Sequence, residues 1–231
     1  MSVVFEAIRA YGLAALTGYL LGSISFAIIF TWLFTKNDVR ASGSGNAGAT
    51  NVFRTAGMIP GIFTTFLDMA KGAAAVVLGR IIFEKFGAPG INDPVALAQI
   101  GACIAGLFAV IGHLFPVFFG FRGGKGVLTL AGIIFMIDPV RFLVLLATFA
   151  VSAAITKIVS VSSMAAAVAY PIITFIRSFS LHVSQPEVYS NTYWIVEMVV
   201  AFIFAGTLFY THRENIKRLI AGTEPKFSIK K

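Results

Sequence analysis

A single cysteine, Cys103, is the whole thiol content of the 231-residue chain, so no intramolecular disulfide can form. Set in an apolar run, it reads as a small buried hydrophobe. Charge is equally scarce: Asp, Glu, Lys and Arg together make 12% of the residues, against about a quarter in soluble globular domains. That shortage excludes an ordinary water-soluble fold and makes lipid the main solvent. Alternation of apolar and polar residues is missing too, which excludes a membrane β-barrel. Basic residues interleaved with aromatics are absent, so no nucleic-acid partner is expected. The chain also lacks a cluster with metal-ligand spacing, a low-complexity segment and an internal repeat. The last absence weakens a transporter built on inverted repeats.

What is present is long apolar sequence, 58% hydrophobic with a mean hydropathy of +0.87. The runs are apolar on every side, and helices are the structure that satisfies such a backbone in lipid. The fold class expected is an all-α integral membrane protein, a single polytopic domain over residues 1–231. The first apolar run, about 10–34, exceeds the roughly 7–15 residues of a signal peptide's apolar region and reads as a membrane helix.

Polar interruptions divide the rest. Loop 36–58 precedes a second segment, about 59–83, which carries Asp68, Lys71 and Arg80. A Gly/Pro/Asn/Asp turn at 86–94 leads to a third, about 95–119. A second glycine-rich loop, 121–126, leads to a short fourth, 127–137, which stops at Asp138-Pro139. The fifth is about 140–156, the sixth about 161–179 and the seventh about 193–210, after a polar loop at 180–192. A basic tail, 212–231, closes the chain. The count is about seven transmembrane helices. The fourth, rising only about 16 Å, reads either as a half-helix or as joined to the fifth through a kink at Pro139.

Charge orients the bundle. With alternating helices, loop 36–58, loop 121–126, the Lys157 turn and the tail share one side, which holds twelve basic residues: Lys36, Arg40, Arg54, Arg122, Lys125, Lys157 and six of the tail. The other side has Arg9, Arg80, Lys85, Arg141 and Arg177 at its boundaries. The positive-inside rule then puts the N-terminus outside and the C-terminus in the cytoplasm.

Three polar clusters fall on that cytoplasmic face. The first, Ser44-Gly45-Asn46-Ala47-Gly48-Ala49-Thr50-Asn51 followed by Arg54, combines small flexible residues with side-chain donors and a fixed cation. A linker needs none of this; a phosphate cradle uses backbone N–H groups and such side chains together. The second runs from Gly112-His113 to Gly123-Gly124-Lys125-Gly126. It is not a Walker A loop, because Gly126 follows Lys125 where Ser or Thr is required. Two glycines before a lysine still permit close approach to an anion, and the next helix begins at once. His113 reads as a packed, hydrogen-bonded residue. The third, His212–Glu224, reads as a basic amphipathic helix on the membrane surface, with Glu214 and Arg218 spaced to pair. Asp68 and Lys71 are spaced to pair inside the second segment and must face the bundle or a wet cavity. Ser160, Ser162 and Ser163 either cap the sixth helix or offer hydroxyls to a ligand.

These segments together resemble the acyl-phosphate-dependent glycerol-3-phosphate acyltransferases, the PlsY family of bacterial inner-membrane enzymes. The resemblance covers essentially the whole chain. It rests on Ser44–Asn51 with Arg54, on Gly112-His113 and Phe115-Pro116 through Gly123-Gly124-Lys125-Gly126-Val127, and on His212-Arg213, Asn215-Ile216, Arg218-Leu219, Gly222 and Glu224. Two positions depart from the family pattern: Ser25 stands where proline is expected, and Leu128 where alanine is usual.

The resemblance implies transfer of an acyl group from acyl phosphate to the 1-hydroxyl of glycerol 3-phosphate, giving lysophosphatidate for phospholipid synthesis. It implies a multi-pass protein of the bacterial inner membrane with its site on the cytoplasmic face. It also implies a soluble enzyme that supplies the acyl phosphate as a partner. Acyl phosphate is already activated, so neither cofactor nor metal is called for. The roles that follow give Lys125, His212 and Asn215 to catalysis. Ser44, Gly45, Asn46, Gly48, Thr50, Asn51, Arg54, Gly123, Gly124, Ser163 and Glu224 are given to substrate binding. His212 is the general-base candidate, with a substrate phosphate as the alternative proton acceptor. A transporter for an organophosphate anion would also want a basic glycine-rich cavity, but near the bilayer midplane.

Overall fold

A computed structural model describes residues 3–88 and 90–229, with side chains from Ile8 onward; Lys230 and Lys231 of the basic tail lie outside the described residues. Among the described residues ten α-helices follow in order: α1 Val3–Gly22, α2 Phe26–Thr35, α3 Ala49–Thr55, α4 Met58–Phe86, α5 Pro94–Leu114, α6 Val127–Ile137, α7 Pro139–Thr156, α8 Val159–Ser184, α9 Asn191–Thr211 and α10 Arg213–Ile220. No strand occurs among the described residues. Five stretches of the described residues are long and apolar enough to cross a membrane: Ile8–Thr35, Pro94–Phe119, Pro139–Thr156, Val159–Ser184 and Asn191–Thr211. Helix α4, with 29 residues, is long enough, at about 43 Å, but carries five charged residues, Asp68, Lys71, Arg80, Glu84 and Lys85. Asp68 and Lys71 are both buried.

The first apolar run is not one helix. It breaks at Ser23-Ile24-Ser25, between α1 and α2. The break is fixed by a tertiary bond. Lys71 Nζ, 2.8 Å from Asp68 Oδ1, donates to the Ile24 carbonyl at 2.7 Å. A carbonyl freed inside lipid would cost several kcal/mol unpaired, and the buried ion pair on α4 supplies its donor. The Asp68–Lys71 pair is thus structural in the first place.

Small residues let the helices touch. A Cβ on Gly18 or Gly22 would strike the carbonyls of Ala105 and Ala109 on α5. Likewise Gly72 on α4 faces the Thr129 carbonyl of α6, and Gly132 of α6 faces the Met69 carbonyl of α4. Helix association in lipid relies on this close packing because apolar burial gives no net gain there. Two cores result. One joins α1, α4 and α5 through Ala14, Ala75, Phe83 and Ala105. The other joins α4 to α9 through Val76, Val110, Leu130, Ile133, Leu145, Tyr170 and Phe204. Leu143, Val151, Ile155, Ile176 and Phe202 point outward, as a lipid-facing surface requires.

The short α6 and α7 are separate helices that share one residue as a joint cap. Asp138 ends α6 and caps α7, accepting from the backbone N–H groups of Val140 at 2.9 Å and Arg141 at 3.3 Å, with Pro139 at the first helical position. The loops after α2, α5, α7 and α9 gather at one end of the bundle. Arg141, counted from sequence as a boundary charge of the opposite end, is instead fully buried.

Candidate active site

The two glycine-rich loops form one unit. Arg40 makes the joint: its guanidinium holds Asp38 at 2.7 Å and donates to the carbonyls of Phe119 at 2.6 Å and Arg122 at 3.2 Å. The planar fork suits this several-way contact. Asn51 folds the first loop onto itself. Its side-chain amide donates to the carbonyls of Val39 at 2.9 Å and Ser42 at 3.0 Å, and its oxygen accepts from the Ser44 N–H at 3.0 Å. Asn51 therefore shapes the cradle from within, although the expectation made it a ligand donor.

The glycines also act otherwise than expected. Gly45 donates its N–H to the Ser42 carbonyl and Gly48 to Asn46; Gly123 donates to Leu114 and Gly124 to His113. None of these four N–H groups is free for an anion. Their contribution is steric and conformational. Gly45 sits at φ +70°, which L side chains rarely adopt. A Cβ on Gly124 would meet the His113 ring and the Ala47 carbonyl. His113 is thus packed, as the sequence suggested, but its Nδ1 has no hydrogen-bond partner among the described residues, lying 3.8 Å from Asp68 Oδ1, and the residue also lines the cavity.

Lys125 emerges from this double loop toward the third cluster. Its ammonium donates to Asn215 Oδ1, and the Asn215 amide donates to Glu224 Oε1 at 2.6 Å. Glu224 is the hub of the tail, accepting also from Ser160 Oγ at 2.6 Å and Arg218 Nε at 2.7 Å. Arg218 therefore pairs with Glu224, while Glu214 pairs with Lys217 at 3.0 Å, not with Arg218. Of the serines at the start of α8, none caps the helix: Ser160 reaches Glu224, while Ser162 and Ser163 donate to the carbonyls of Ile158 and Val159. Ser163 also lines the cavity.

His212 is 2% exposed at the junction of α9 and α10. Its Nδ1 lies 2.8 Å from the Leu208 carbonyl. A carbonyl only accepts, so Nδ1 carries the proton and Nε2 is left as a bare acceptor. Burial, and then the nearby Lys125 charge, push its pKa down to about 4, so the ring is neutral at pH 7. Burial lowers Lys125 to about 8, with Arg218 and Arg54 adding to the fall and Glu224 opposing it. Burial alone would raise Glu224, but hydrogen bonds from Ser160, Asn215 and Arg218 outweigh it and hold the carboxyl below its usual range. Among the described residues, Arg54 and Lys157 line the same cavity without an ion pair.

That cavity has a volume of about 800 Å³. Its mouth is polar, with Ser44, Asn46, Thr50, Arg54, Lys125, Ser163, His212, Asn215 and Glu224; its depth is apolar, between α6, α7, α8 and α9. A smaller cavity of about 310 Å³ adjoins it and adds Gly45, Gly124 and Arg213. Ser44, Asn46, Lys125, Asn215 and Arg218 line both. Every residue assigned to the site from sequence lines one cavity or the other, except Gly123, which lines neither. Arg218 thus serves Glu224 and not the Glu214 that its spacing suggests, and Arg40 joins the two loops from outside the three polar clusters; the basic tail and the Asp38-Val39-Arg40 run are the sequence signals for them.

The sequence model of a family described as "Glycerol-3-phosphate acyltransferase" matches residues 12–222. The chain belongs to the glycerol-3-phosphate acyltransferase family. Relatives named glycerol-3-phosphate acyltransferase include one from Chlorobaculum tepidum, 42% identical over 221 residues, covering 91% of this chain and 93% of the relative. Another, from Chlorobium phaeobacteroides, is 40% identical over 220 residues, covering 89% and 92%. The fold is similar to the crystal structure of PlsY, an integral membrane glycerol 3-phosphate acyltransferase, in its glycerol 3-phosphate form. The TM-score is 0.72 at 32% identity, covering 94% of this chain and 96% of that one. The lysophosphatidic acid form of PlsY gives a TM-score of 0.70 at the same identity. This acyltransferase is thus a multi-pass membrane protein of a bacterial family.

Proposed function

We propose that the protein transfers an acyl group from acyl phosphate to the 1-hydroxyl of glycerol 3-phosphate, releasing inorganic phosphate and forming 1-acylglycerol 3-phosphate. One observation carries the reading: a single cavity joins a cationic mouth to an apolar depth. A donor with a charged phosphate at one end and a hydrocarbon chain at the other matches both halves. The smaller cavity, polar and adjoining the mouth, suits a small water-borne acceptor.

The proposed step is a direct transfer. The 1-oxygen of glycerol 3-phosphate bonds to the acyl carbon, and the bond from that carbon to the phosphate oxygen breaks. His212 Nε2, bare and neutral, accepts a hydrogen bond from the attacking hydroxyl and aims it. With a pKa of about 4, His212 is a weaker base than a phosphate monoanion–dianion couple at about 6, so the proton ends on the departing phosphate. Lys125, Arg54 and Lys157 offset the phosphate charge, and Ser44, Asn46, Thr50 and Ser163 donate or accept around it. Asn215 holds Lys125 on station, and Glu224 holds Asn215. Gly45, Gly48, Gly123, Gly124 and Asn51 give the loops their shape. No covalent enzyme intermediate, metal or cofactor enters.

The same reading makes the chain one polytopic domain with about seven crossings, its site on the cytoplasmic face of the inner membrane, and a soluble acyl-phosphate-forming enzyme as its supplier. The charge asymmetry, twelve basic residues against four once the buried Arg141 is set aside, supports that orientation. Incubating purified protein with glycerol 3-phosphate and either palmitoyl phosphate or palmitoyl-CoA tests the donor. Lysophosphatidate is expected from the first alone; formation only from the thioester would overturn the reading.

A further inference from the structure

Beyond the apolar depth of the large cavity lies a buried charged cluster, whose members stand behind the cavity's lining residues. The deepest lining residues are Phe142 on α7, Ile134 on α6, Tyr170 on α8 and Phe204 on α9. Continuing along each helix away from the mouth, the chain soon reaches a member of one buried polar cluster: Arg141 directly after Phe142, Asp138 one turn beyond Ile134, and Ser178 and Glu197 about two turns beyond Tyr170 and Phe204. Arg141 is 0% and Glu197 2% exposed. The Arg141 guanidinium pairs with Glu197, lies 3.2 Å from Asp138 Oδ2 and donates to Ser178 Oγ at 3.0 Å. Gln99 of α5 donates to Glu197, and Arg177 closes on Asp138 at 3.1 Å. Nothing in the transfer step uses these groups. Ionised residues at membrane depth call for a reason.

We propose that the Arg141–Glu197–Asp138 cluster is the floor of the acyl cavity and sets the longest chain that this enzyme transfers efficiently. The inference rests on the reading of the cavity as the acyl-donor site. Along α7, from Lys157 at the mouth to Phe142 above the floor, the wall runs 15 residues, about 22 Å. With carbon–carbon bonds of about 1.5 Å, an extended chain rises roughly 1.3 Å per methylene, so a palmitoyl chain needs about 20 Å and an arachidoyl chain about 25 Å. The first fits. The second must push methylenes against an ion pair whose partners are already matched, and separating buried partners is costly. Hydrocarbon gains nothing by leaving lipid for this cavity, so length selection comes from the floor and not from accumulated contact. The profile against chain length is therefore flat and then falls.

The test is kcat/KM of the purified full chain, in lipid–detergent micelles, with lauroyl, palmitoyl, stearoyl and arachidoyl phosphate at saturating glycerol 3-phosphate. Lauroyl and palmitoyl donors agree within about threefold, and arachidoyl phosphate is at least tenfold poorer. In the double variant Arg141→Met/Glu197→Met, whose side chains replace the ion pair with hydrocarbon, the arachidoyl deficit shrinks to threefold or less. In Ala167→Phe, which narrows the cavity midway, the fall moves to shorter donors. If the double variant does not fold, Phe142→Ala, which opens the wall above the cluster without touching its charges, must ease the arachidoyl deficit. A wild-type profile without a fall, or a fall unmoved by these variants, overturns the floor while leaving the donor assignment intact. Failure of every acyl phosphate to react overturns the donor assignment itself.

Discussion

The two ends of this helical bundle use the same side chains in opposite ways. At the far end, Arg141 is surrounded by Glu197, Asp138 and Ser178, and each carboxylate has further donors in Gln99 or Arg177. At the loop end, Arg54 and Lys157 line the cavity without an ion pair among the described residues, and Lys125 is held by a neutral amide. The carboxylates lining that cavity are already engaged, Glu224 by Ser160, Asn215 and Arg218, and Asp68 by Lys71. A matched cluster fixes helices. A cluster with surplus positive charge is held ready for an anion, and its charges are kept partly desolvated at a cost in stability. Helix α9 carries both designs, with Glu197 near its start and His212 past its end.

The contrast is broken most severely at Lys125. Lys125→Ala should lower kcat/KM at least a thousandfold, about 4 kcal/mol of transition-state stabilisation. Lys125→Met should lose as much activity yet melt several degrees higher, because it removes a desolvated charge. Steady-state kinetics and a melting curve on the same preparation check both. At the far end the signs reverse. Arg141→Met should destabilise by about 3 kcal/mol, since it strands two buried carboxylates, whereas Arg141→Met/Glu197→Met should recover most of that loss. Chemical denaturation in detergent would expose equal effects, which would deny the matched-cluster account.

Glu224→Gln keeps the volume but not the charge. Arg218 is released and Asn215 is free to turn, so kcat/KM should fall tenfold to a hundredfold, about 2 kcal/mol, with little change in melting. Smaller again is the effect of pH. Lys125 is charged below a folded-state pKa of about 8 and neutral above it. Activity should therefore decline as pH rises through 8, while an unfolded lysine keeps its proton to about 10.4. In the window between, the unfolded chain binds more protons, so this group's contribution to stability rises with pH as activity falls. A kcat/KM profile that stays level to pH 10 would remove Lys125 from the charge-bearing role.

Much of this was legible in one dimension. Polar residues are so rare in the apolar runs that Ser44–Arg54, Gly112–Gly126 and His212–Glu224 stand out, and alternating the segments brings them to one end. The division into α6 and α7 was open to view in Asp138-Pro139. What could not be read depends on contacts between distant segments. The break at Ser23–Ser25 needs Lys71 from another helix. The N–H groups of Gly123 and Gly124 look free until the carbonyls of His113 and Leu114 fold over them. Asn51 looks like a ligand donor until Val39 and Ser42 occupy its amide. Arg141 counts as a boundary charge until Gln99, Ser178 and Glu197, each on a different helix, converge on it or on its partners.

The central claim is that both phosphate substrates meet in one cavity at one face of the membrane and that transfer happens there. Proteoliposomes holding the protein and palmitoyl phosphate, given labelled glycerol 3-phosphate on the outside only, test it directly. The account predicts that label leaving the medium is recovered as lysophosphatidate, with no free glycerol 3-phosphate in the lumen. Accumulation of unmodified glycerol 3-phosphate inside, without acylation, would contradict it.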